Sequence, residues 1–163
     1  MVNAGEDVEL EARFCFGTYR LNRAFARFYQ NIFAETGLTY PKYVILSALH
    51  EYGNLSVSEL SERAGVESNT LSPLLKKMAE FGVISRQRDE KDERRVVLAL
   101  TDFGRNALSE ATKAVNDGFR DLGFELKDVE HVISFMKFAE SRLDASNPDR
   151  LSYDAVAKRF EFD

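Results

Sequence analysis

Residues 68–81 read Ser68-Asn69-Thr70-Leu71-Ser72-Pro73-Leu74-Leu75-Lys76-Lys77-Met78-Ala79-Glu80-Phe81. Apolar side chains recur at positions 71, 74, 75, 78 and 81, which is the 3.6-residue spacing of one buried helical face. The opposite face carries Ser68, Asn69, Ser72, Lys76 and Lys77. Pro73 lacks an N–H group and is tolerated only in an opening turn, so we expect the helix to begin at residue 69 or 70, with Ser68 or Asn69 as its cap.

The segments before and after this helix predict a second helix and a β-hairpin. Residues 57–66 predict a helix of about two turns that a glycine ends, and a tight turn joins it to the helix described above. The runs 83–88 and 94–100 are rich in β-branched residues, and the residues between them are all charged, which predicts a β-hairpin with a solvated tip. Helix, turn, helix and hairpin in this order predict a winged helix-turn-helix within residues 41–100.

Composition sets the broad class of the protein. The chain has 163 residues, of which 44% are hydrophobic and 30% charged, enough to bury a real core. It holds no apolar run of membrane-spanning length, and its acidic start over residues 1–7 is unlike a signal peptide. A single cysteine excludes an intrachain disulfide and agrees with a reducing compartment. We therefore expect a cytoplasmic protein that does not bind a membrane.

Charge is distributed unevenly along the chain. The net charge of −5 argues against nonspecific coating of nucleic acid. Residues 63–95 nevertheless hold eight Lys or Arg against six Asp or Glu, so the predicted winged segment is net positive within an acidic chain. This modest excess falls where DNA phosphates would be met.

The segments that flank the winged core are predicted to be helical. Residues 8–35 predict one long helix with apolar side chains on more than one stripe, and residues 101–145 predict helices that glycines at 118 and 123 interrupt. Between residue 35 and the winged core, Pro41 opens a helix, and we expect Tyr40 to be extended because it precedes proline. Flanking helices this apolar are typical of a dimer interface.

The predicted fold class is mostly α with a small β-hairpin wing (α+β). It is a winged helix-turn-helix with N- and C-terminal dimerisation helices. We expect a single domain, composed of dimerisation helices at 8–35 and 101–145, the winged core at 41–100 and a C-terminal extension at 146–163.

Six short motifs follow one another along the chain. They are Leu38-Thr39-Tyr40-Pro41-Lys42-Tyr43, Leu55-Ser56-Val57-Ser58-Glu59-Leu60, Leu74-Leu75-Lys76-Lys77-Met78, Gly82-Val83-Ile84-Ser85-Arg86, Asp92-Glu93-Arg94-Arg95 and Leu100-Thr101-Asp102-Phe103-Gly104. Their order and spacing resemble the MarR family of bacterial transcription regulators, over roughly residues 8–145. The resemblance implies a homodimer on double-stranded DNA, and dimeric helix-turn-helix geometry implies a pseudo-palindromic operator with half-sites about one helical turn apart.

Within that family, Cys15 between Phe14 and Phe16 resembles the one-cysteine, peroxide-sensing OhrR branch. Members of that branch hold the sensing thiol near two tyrosines of the partner subunit, and Tyr29 and Tyr40 match those positions. Tyr29 is 14 residues from Cys15, or about 21 Å along one helix, so the two can meet only across a two-fold axis. We add Tyr19 to these candidate redox-sensing residues.

These residue types suit the chemistry that the resemblance implies. A thiolate attacks a hydroperoxide, and phenol O–H groups stabilise the thiolate, with Arg13 or Arg20 as a source of positive potential. The product is a sulfenic acid. Because the chain holds no second cysteine, the expected fates are reaction with a small cellular thiol, condensation with a backbone nitrogen, or further oxidation.

The DNA contacts are also carried over from the family by position. The recognition helix enters the major groove, and the hairpin tip lies over the minor groove. Ser68, Asn69, Thr70 and Ser72 are candidates for base edges or phosphates, and Lys76, Lys77 and Arg86 for phosphates. Arg94 matches the wing arginine that enters a narrow, A·T-rich minor groove, and Asp92 matches the acid that orients it.

Three functions compete at this point. The first is a dimeric regulator, expected to be a repressor, that an organic hydroperoxide or related oxidant switches through Cys15. The second is a regulator released by a small aromatic ligand, with Cys15 as a packing residue, which is the usual role of a cysteine between two phenylalanines. The third is a thiol peroxidase, which the lack of Cys-x-x-Cys and of a βαβ pattern disfavours. No cofactor or metal site is expected, because one cysteine and two scattered histidines offer no ligand spacing.

Overall fold

The computed structural model describes residues 9–66, 68–88 and 96–144. In this part of the chain a 3₁₀ turn at Leu10–Ala12 precedes six α-helices and three β-strands. The helices are α1 (Phe14–Ile32), α2 (Tyr40–Tyr52), α3 (Val57–Ala64), α4 (Ser68–Glu80), α5 (Asp102–Asp121) and α6 (Leu126–Asp144). The strands are β1 (Leu55–Ser56), β2 (Ile84–Arg88) and β3 (Val96–Leu100).

Helix α3 begins at Val57 because Ser56 and Glu59 form a reciprocal cap. The Glu59 backbone N–H donates to Ser56 Oγ at 3.3 Å, and the Ser56 backbone N–H donates to Glu59 Oε2 at 2.7 Å. These two bonds satisfy donors that a helix start leaves without intrahelical partners. Gly65 then ends the helix in the left-handed conformation, with φ of 62°.

Helix α4 buries the apolar face that its spacing predicts. Leu71, Leu75 and Met78 are at most 2% exposed, and the helix begins at residue 68, slightly before the expected start. The prediction for Phe81 was wrong. Its side chain is 70% exposed and packs on Phe103, with ring centroids 5.8 Å apart. Phe81 lies beyond the end of the helix, so the helical spacing no longer determines which way its side chain points.

The predicted hairpin forms, and a short strand adds to it. Strand β2 pairs antiparallel with β3, from Ile84 opposite Leu100 to Arg88 opposite Val96. Strand β1 pairs with the other edge of β3, which gives the order β1-β3-β2. The sequence did not predict β1, because two residues are too few to show alternation.

The N-terminal helix is shorter than predicted. The backbone of Arg13 is extended and separates the 3₁₀ turn from α1, so the helical region does not run unbroken from residue 8 to 35. The expectation that Tyr40 is extended was also wrong, because Tyr40 is the first residue of α2 and Thr39 is the extended cap. The first N–H groups of a helix have no intrahelical acceptor, so Pro41 fits at the second position.

Helix α5 passes through Gly118, where an interruption was predicted. A Cβ atom at Gly118 would lie 2.9 Å from Ile32 Cδ1 and 3.1 Å from the Phe28 ring. Glycine therefore permits close packing of α1 on α5 and does not end the helix here. Gly123, with φ of 78°, does lie in the turn before α6.

The contacts within the chain divide it into residues Met1–Gly118 and residues Phe119–Asp163. The first unit holds a core formed by α2, α3, α4 and the sheet, with side chains such as Ile45, Leu46, Leu60, Leu71 and Leu98 fully enclosed. Among the residues that the structure describes, no helix is long and apolar enough to cross a membrane. A single MarR-type domain stays a prediction, and the extension at 146–163 lies outside the described residues.

The start of α5 is packed tightly against the turn before β2. Thr101 Oγ1 donates to the Gly82 carbonyl at 2.7 Å and accepts from the Gly104 N–H at 3.0 Å. A Cβ atom at Gly104 would overlap the Val83 carbonyl oxygen.

We therefore expect Gly104→Ala to lower the free energy of unfolding by about 3 kcal/mol, as overpacking against backbone does. Urea denaturation measures the change. Ser109→Ala, at an exposed position of the same helix, is the control and should stay within about 0.5 kcal/mol of wild type. Equal stability of the two variants would show that the contact at Val83 relaxes freely.

Candidate nucleic-acid interface and redox site

The polar face of α4 is exposed. Ser72, Lys76 and Lys77 lie on the surface, opposite the buried Leu71 and Leu75. Ser68, Asn69 and Thr70 form the first turn of the helix, and their side chains lie outside the described residues. Helix α4 therefore carries both the positive end of its dipole and two cationic side chains further along.

Lys76 has an acidic neighbour on the same helix. Its Nζ lies 3.9 Å from Glu80 Oε1, and both side chains are more than 60% exposed. Exposed pairs of this kind contribute little to stability, about 0 to 1 kcal/mol, so Glu80 holds Lys76 only weakly.

The wing is described in part. Arg86 is exposed on β2, and its backbone is paired opposite Leu98 of β3. Asp92 and Arg94 fall between β2 and β3, outside the described residues. The two strands nevertheless show that the chain reverses direction where the wing is predicted.

Cys15 is the second residue of α1 and is exposed in the single chain. Phe14 on one side is 51% exposed, and Phe16 on the other lies beneath the Arg20 guanidinium, 5.8 Å from its ring centroid. No residue of α1 is fully buried in this chain. The thiol therefore lies on an apolar surface that also carries positive charge.

The structure brings Tyr29 and Tyr40 together within one chain. Their ring centroids are 4.2 Å apart, with the planes inclined by 34°. Tyr43 also approaches Tyr29, at 6.0 Å, and packs on Phe33 at 5.5 Å. The sequence reasoning missed Tyr43, although residues three apart on a helix, as Tyr40 and Tyr43 are, share a face.

Burial, and after it the nearby phenols of Tyr40 and Tyr43, together raise the pKa of Tyr29 to about 12. A neutral phenol is an O–H donor, and Tyr29 therefore keeps its proton throughout the physiological range. Burial and the two tyrosines thus hold one donor in a defined place.

Tyr19 stands apart from Tyr29, Tyr40 and Tyr43, which together form the tyrosine cluster. Its hydroxyl accepts a hydrogen bond of 2.9 Å from Arg23 Nη1, and the guanidinium lies over the ring at 5.7 Å. The hydrogen bond to Tyr19 raises the pKa of Arg23. Of the four candidate redox residues, the single chain joins Tyr29 with Tyr40, while Cys15 and Tyr19 lie on the N-terminal half of α1.

A cleft of about 670 Å³ opens in the first unit, where the end of α1 approaches α2, α4 and α5. Most of its walls are apolar, and they include Ile32, Phe33, Leu46, Met78, Phe103 and Ala111. Three charged residues also line it, Lys42, Lys77 and Glu110. Lys42 Nζ donates to the Gly37 carbonyl at 2.7 Å. Among the described residues, no cluster of His, Cys, Asp and Glu could hold a metal ion.

Comparison with known proteins shows that this chain is similar to regulators of transcription. The family model for the transcriptional regulators SarA/Rot matches residues 27–111. The HTH-type transcriptional regulator TtmR of Methylorubrum extorquens is 44% identical over 96 residues, which are 59% of this chain and 49% of that protein. This chain therefore spans about half the length of that relative.

A second relative is matched over more of its length. The organic hydroperoxide resistance transcriptional regulator of Bacillus subtilis is 36% identical over 104 residues, which are 64% of this chain and 71% of that protein. Among solved structures, reduced AbfR bound to DNA has a TM-score of 0.66 at 26% identity, over 79% of this chain and 90% of AbfR. The winged helix-turn-helix prediction is confirmed by these likenesses.

The raised pKa of Tyr29 can be tested by titrating the tyrosines. Because its pKa is raised, Tyr29 keeps its proton between pH 10, where an unfolded tyrosine loses it, and about pH 12. Its contribution to stability is therefore fully present below pH 10 and is lost as the pH rises through about 12.

We expect the ultraviolet absorbance of tyrosinate to show a step near pH 12 that Tyr29→Phe lacks and that the control Tyr19→Phe keeps. A late step that survives in Tyr29→Phe would assign the shift to another residue.

Proposed function

Because this chain belongs to the SarA/Rot family and is a MarR-type, winged-helix, DNA-binding regulator of transcription, we propose that it represses its target as a homodimer whose operator binding ends when Cys15 is oxidised. The oxidant is an organic hydroperoxide or a related species. The observation that carries this proposal is the close contact of the Tyr29 and Tyr40 rings, 4.2 Å apart, at the far end of α1 from Cys15 of the same chain.

Binding of DNA follows from the two faces of α4. Because Leu71, Leu75 and Met78 hold the helix on the core, its polar face must point outward. In the proposed complex, Ser68, Asn69, Thr70 and Ser72 meet base edges or phosphates in the major groove. Lys76, Lys77 and Arg86 meet phosphates, and Arg94, oriented by Asp92, enters the minor groove.

Exposed apolar surface supports the homodimer. Helix α1 has no buried residue, and it carries Phe14, Tyr19 and Leu21, each more than 40% exposed. In the second unit, α6 exposes Val132, Phe135 and Phe138 to a similar extent. Contiguous apolar surface on helices is typical of an interface with another chain. A two-fold axis would also repeat the DNA-reading unit, which is the winged core with its recognition helix α4, as a pseudo-palindromic operator requires.

The same two-fold axis completes the redox site. Cys15 and Tyr29 are 14 residues apart on α1, or about 21 Å, and cannot touch within one chain. If the α1 helices run antiparallel across the axis, Cys15 of each protomer approaches Tyr29 and Tyr40 of the other. Each dimer then holds two equivalent sensing sites.

The proposed reaction begins at the Cys15 thiolate. Sulfur attacks the terminal oxygen of the hydroperoxide, an S–O bond forms and the O–O bond breaks. The hydroperoxide is reduced to an alkoxide, which takes a proton and leaves as an alcohol, and sulfur is oxidised by two electrons to a sulfenic acid. A small cellular thiol then displaces water to form a mixed disulfide, because the chain has no second cysteine.

The position of Tyr40 links this chemistry to the DNA. Tyr40 begins α2, and the same helix buries Ile45, Leu46 and Leu49 in the core that holds α4. A sulfenic acid or mixed disulfide is larger and more polar than a thiol, so it displaces the tyrosines. Displacement at the start of α2 then reorients the recognition helix.

A second candidate function is release by a small aromatic acid. The cleft is large enough for such a ligand, most of its walls are apolar, and Lys42 and Lys77 offer two positive charges to a carboxylate against the one negative charge of Glu110. Lys77 belongs to α4, so a ligand there would touch the recognition helix. In this alternative Cys15 is a packing residue.

The redox proposal predicts how four samples bind DNA selected for affinity. Wild type and Cys15→Ser are each assayed reduced and after stoichiometric cumene hydroperoxide with a small thiol. We expect the oxidant to lower the affinity of wild type by at least about tenfold and to leave Cys15→Ser unchanged. Equal binding in all four samples would reject the redox switch and favour the cleft ligand.

The wing makes a separate prediction. Arg94→Ala should weaken operator binding by at least about tenfold, because a guanidinium in a narrow minor groove gains from its concentrated negative potential. Fluorescence anisotropy measures affinity, and analytical ultracentrifugation checks that the variant assembles as wild type does. Lys113→Ala, an exposed cation of α5, is the control for loss of charge. If both variants lose affinity equally, Arg94 has no special role.

A further inference from the structure

Tyr43 joins three helices at the tyrosine cluster. Its ring lies 6.0 Å from that of Tyr29 and 5.5 Å from that of Phe33, both in the α1 segment and the turn that follows it. Its hydroxyl lies 3.4 Å from Thr112 Oγ1 of α5. Tyr43 itself belongs to α2, so it links α2 to both α1 and α5.

Tyr40 and Tyr43 hold Tyr29 in different ways. Tyr40 is 47% exposed, so it lies on the outer side of the cluster. Tyr43 is half-buried and packs against the main core, which fixes its position more firmly. The Tyr29 ring therefore has one exposed aromatic neighbour and one anchored neighbour.

We propose that Tyr43 is a positioning residue of the redox site, and that its ring holds the Tyr29 ring in place. This inference rests on the proposed function for the role of Tyr29 at the thiol. A hydrogen bond to a thiolate depends on the direction of the phenol O–H, so a ring that turns or shifts loses the bond. Tyr43 does not touch the thiol and acts through Tyr29.

The contact between Tyr43 and Thr112 also couples the tyrosine cluster to the rest of the first unit. Thr112 is one residue from Ala111, which is buried in the first unit, and Tyr43 is two residues from the buried Ile45. A displacement of Tyr29 therefore reaches both α2 and α5 through one side chain. Tyr40, at the exposed start of α2, has no such contact with α5 among those that the structure shows for the described residues.

The test compares Tyr43→Leu, which removes the ring, with Tyr43→Phe, which keeps the ring and removes the hydroxyl. Tyr52→Leu, at the exposed end of the same helix, is the matched control. Three quantities are measured on the full chain: the rate of Cys15 oxidation by cumene hydroperoxide, the tyrosinate titration and the affinity of the reduced protein for DNA.

We expect Tyr43→Leu to slow oxidation of Cys15 by about tenfold, because a small misplacement of a contacting group has a large effect on rate. Its late titration step should move from about pH 12 toward pH 10, since water reaches Tyr29. Tyr43→Phe should restore the rate to within about twofold of wild type, and Tyr52→Leu should oxidise at the wild-type rate and keep the late step of Tyr29. DNA affinity of the reduced variants should be unchanged. If Tyr43→Leu does not bind DNA when reduced, Tyr43→Met, whose flexible side chain fills irregular space, takes its place.

The outcomes separate this inference from the redox function. Wild-type oxidation rate and titration in Tyr43→Leu, with Cys15→Ser unresponsive to peroxide, would overturn the positioning role and leave the redox switch standing. A shifted titration in Tyr43→Leu, with wild type insensitive to peroxide, would support positioning and reject the switch. Slow oxidation in Tyr43→Phe equal to that in Tyr43→Leu would overturn the role given to the ring.

Discussion

Burial of one face of α4 is the interaction on which the DNA-reading unit depends. Leu71 and Leu75 are enclosed by the core, and burying a leucine side chain contributes about 2 kcal/mol. Two such residues one turn apart fix the rotation of the helix about its axis. The polar side chains of α4 must then point away from the core. Hydrophobic packing thus determines the face that is offered to DNA, while the polar side chains determine what that face can bind.

Helix α2 belongs both to this core and to the tyrosine cluster. Its first turn carries Tyr40 and Tyr43, and its middle buries Ile45, Leu46 and Leu49. A helix is stiff over so short a length, because each backbone hydrogen bond restrains its neighbours. A change at the first turn is therefore transmitted as a movement of the whole element. In the proposed mechanism, this stiffness transmits the oxidation of Cys15 in one protomer to the DNA-reading unit of the other.

In the proposed function, the arrangement of the candidate redox residues requires two chains for each sensing site. Tyr29 and Tyr40 come together inside one protomer, whereas Cys15 lies near the other end of α1, on an exposed apolar surface. In the proposed dimer, donor and thiol belong to different protomers, so stabilisation of the thiolate depends on correct dimer formation. In the proposed function, loss of the contact and change of the dimer are then the same event.

The sequence by itself determined the elements whose signals are local. Helical spacing predicted the buried face of α4, the serine and glutamate at 56 and 59 define a cap, and two β-branched runs around a charged segment predicted β2 and β3. The family resemblance also identified Cys15, Tyr29 and Tyr40 as candidate redox-sensing residues. Each of these rests on residues close together in the chain, or on motifs in a known order.

Only the tertiary structure decided the features that depend on distant partners. Strand β1 is too short to show a pattern and exists because β3 lies beside it. Gly118 looked like a helix end, but it is a helical residue that lets Phe28 and Ile32 approach. Tyr43 gained its place beside Tyr29 from the packing of α1, α2 and α5. Periodicity records which residues share a face, whereas the neighbour that this face meets is set by packing between elements far apart in sequence.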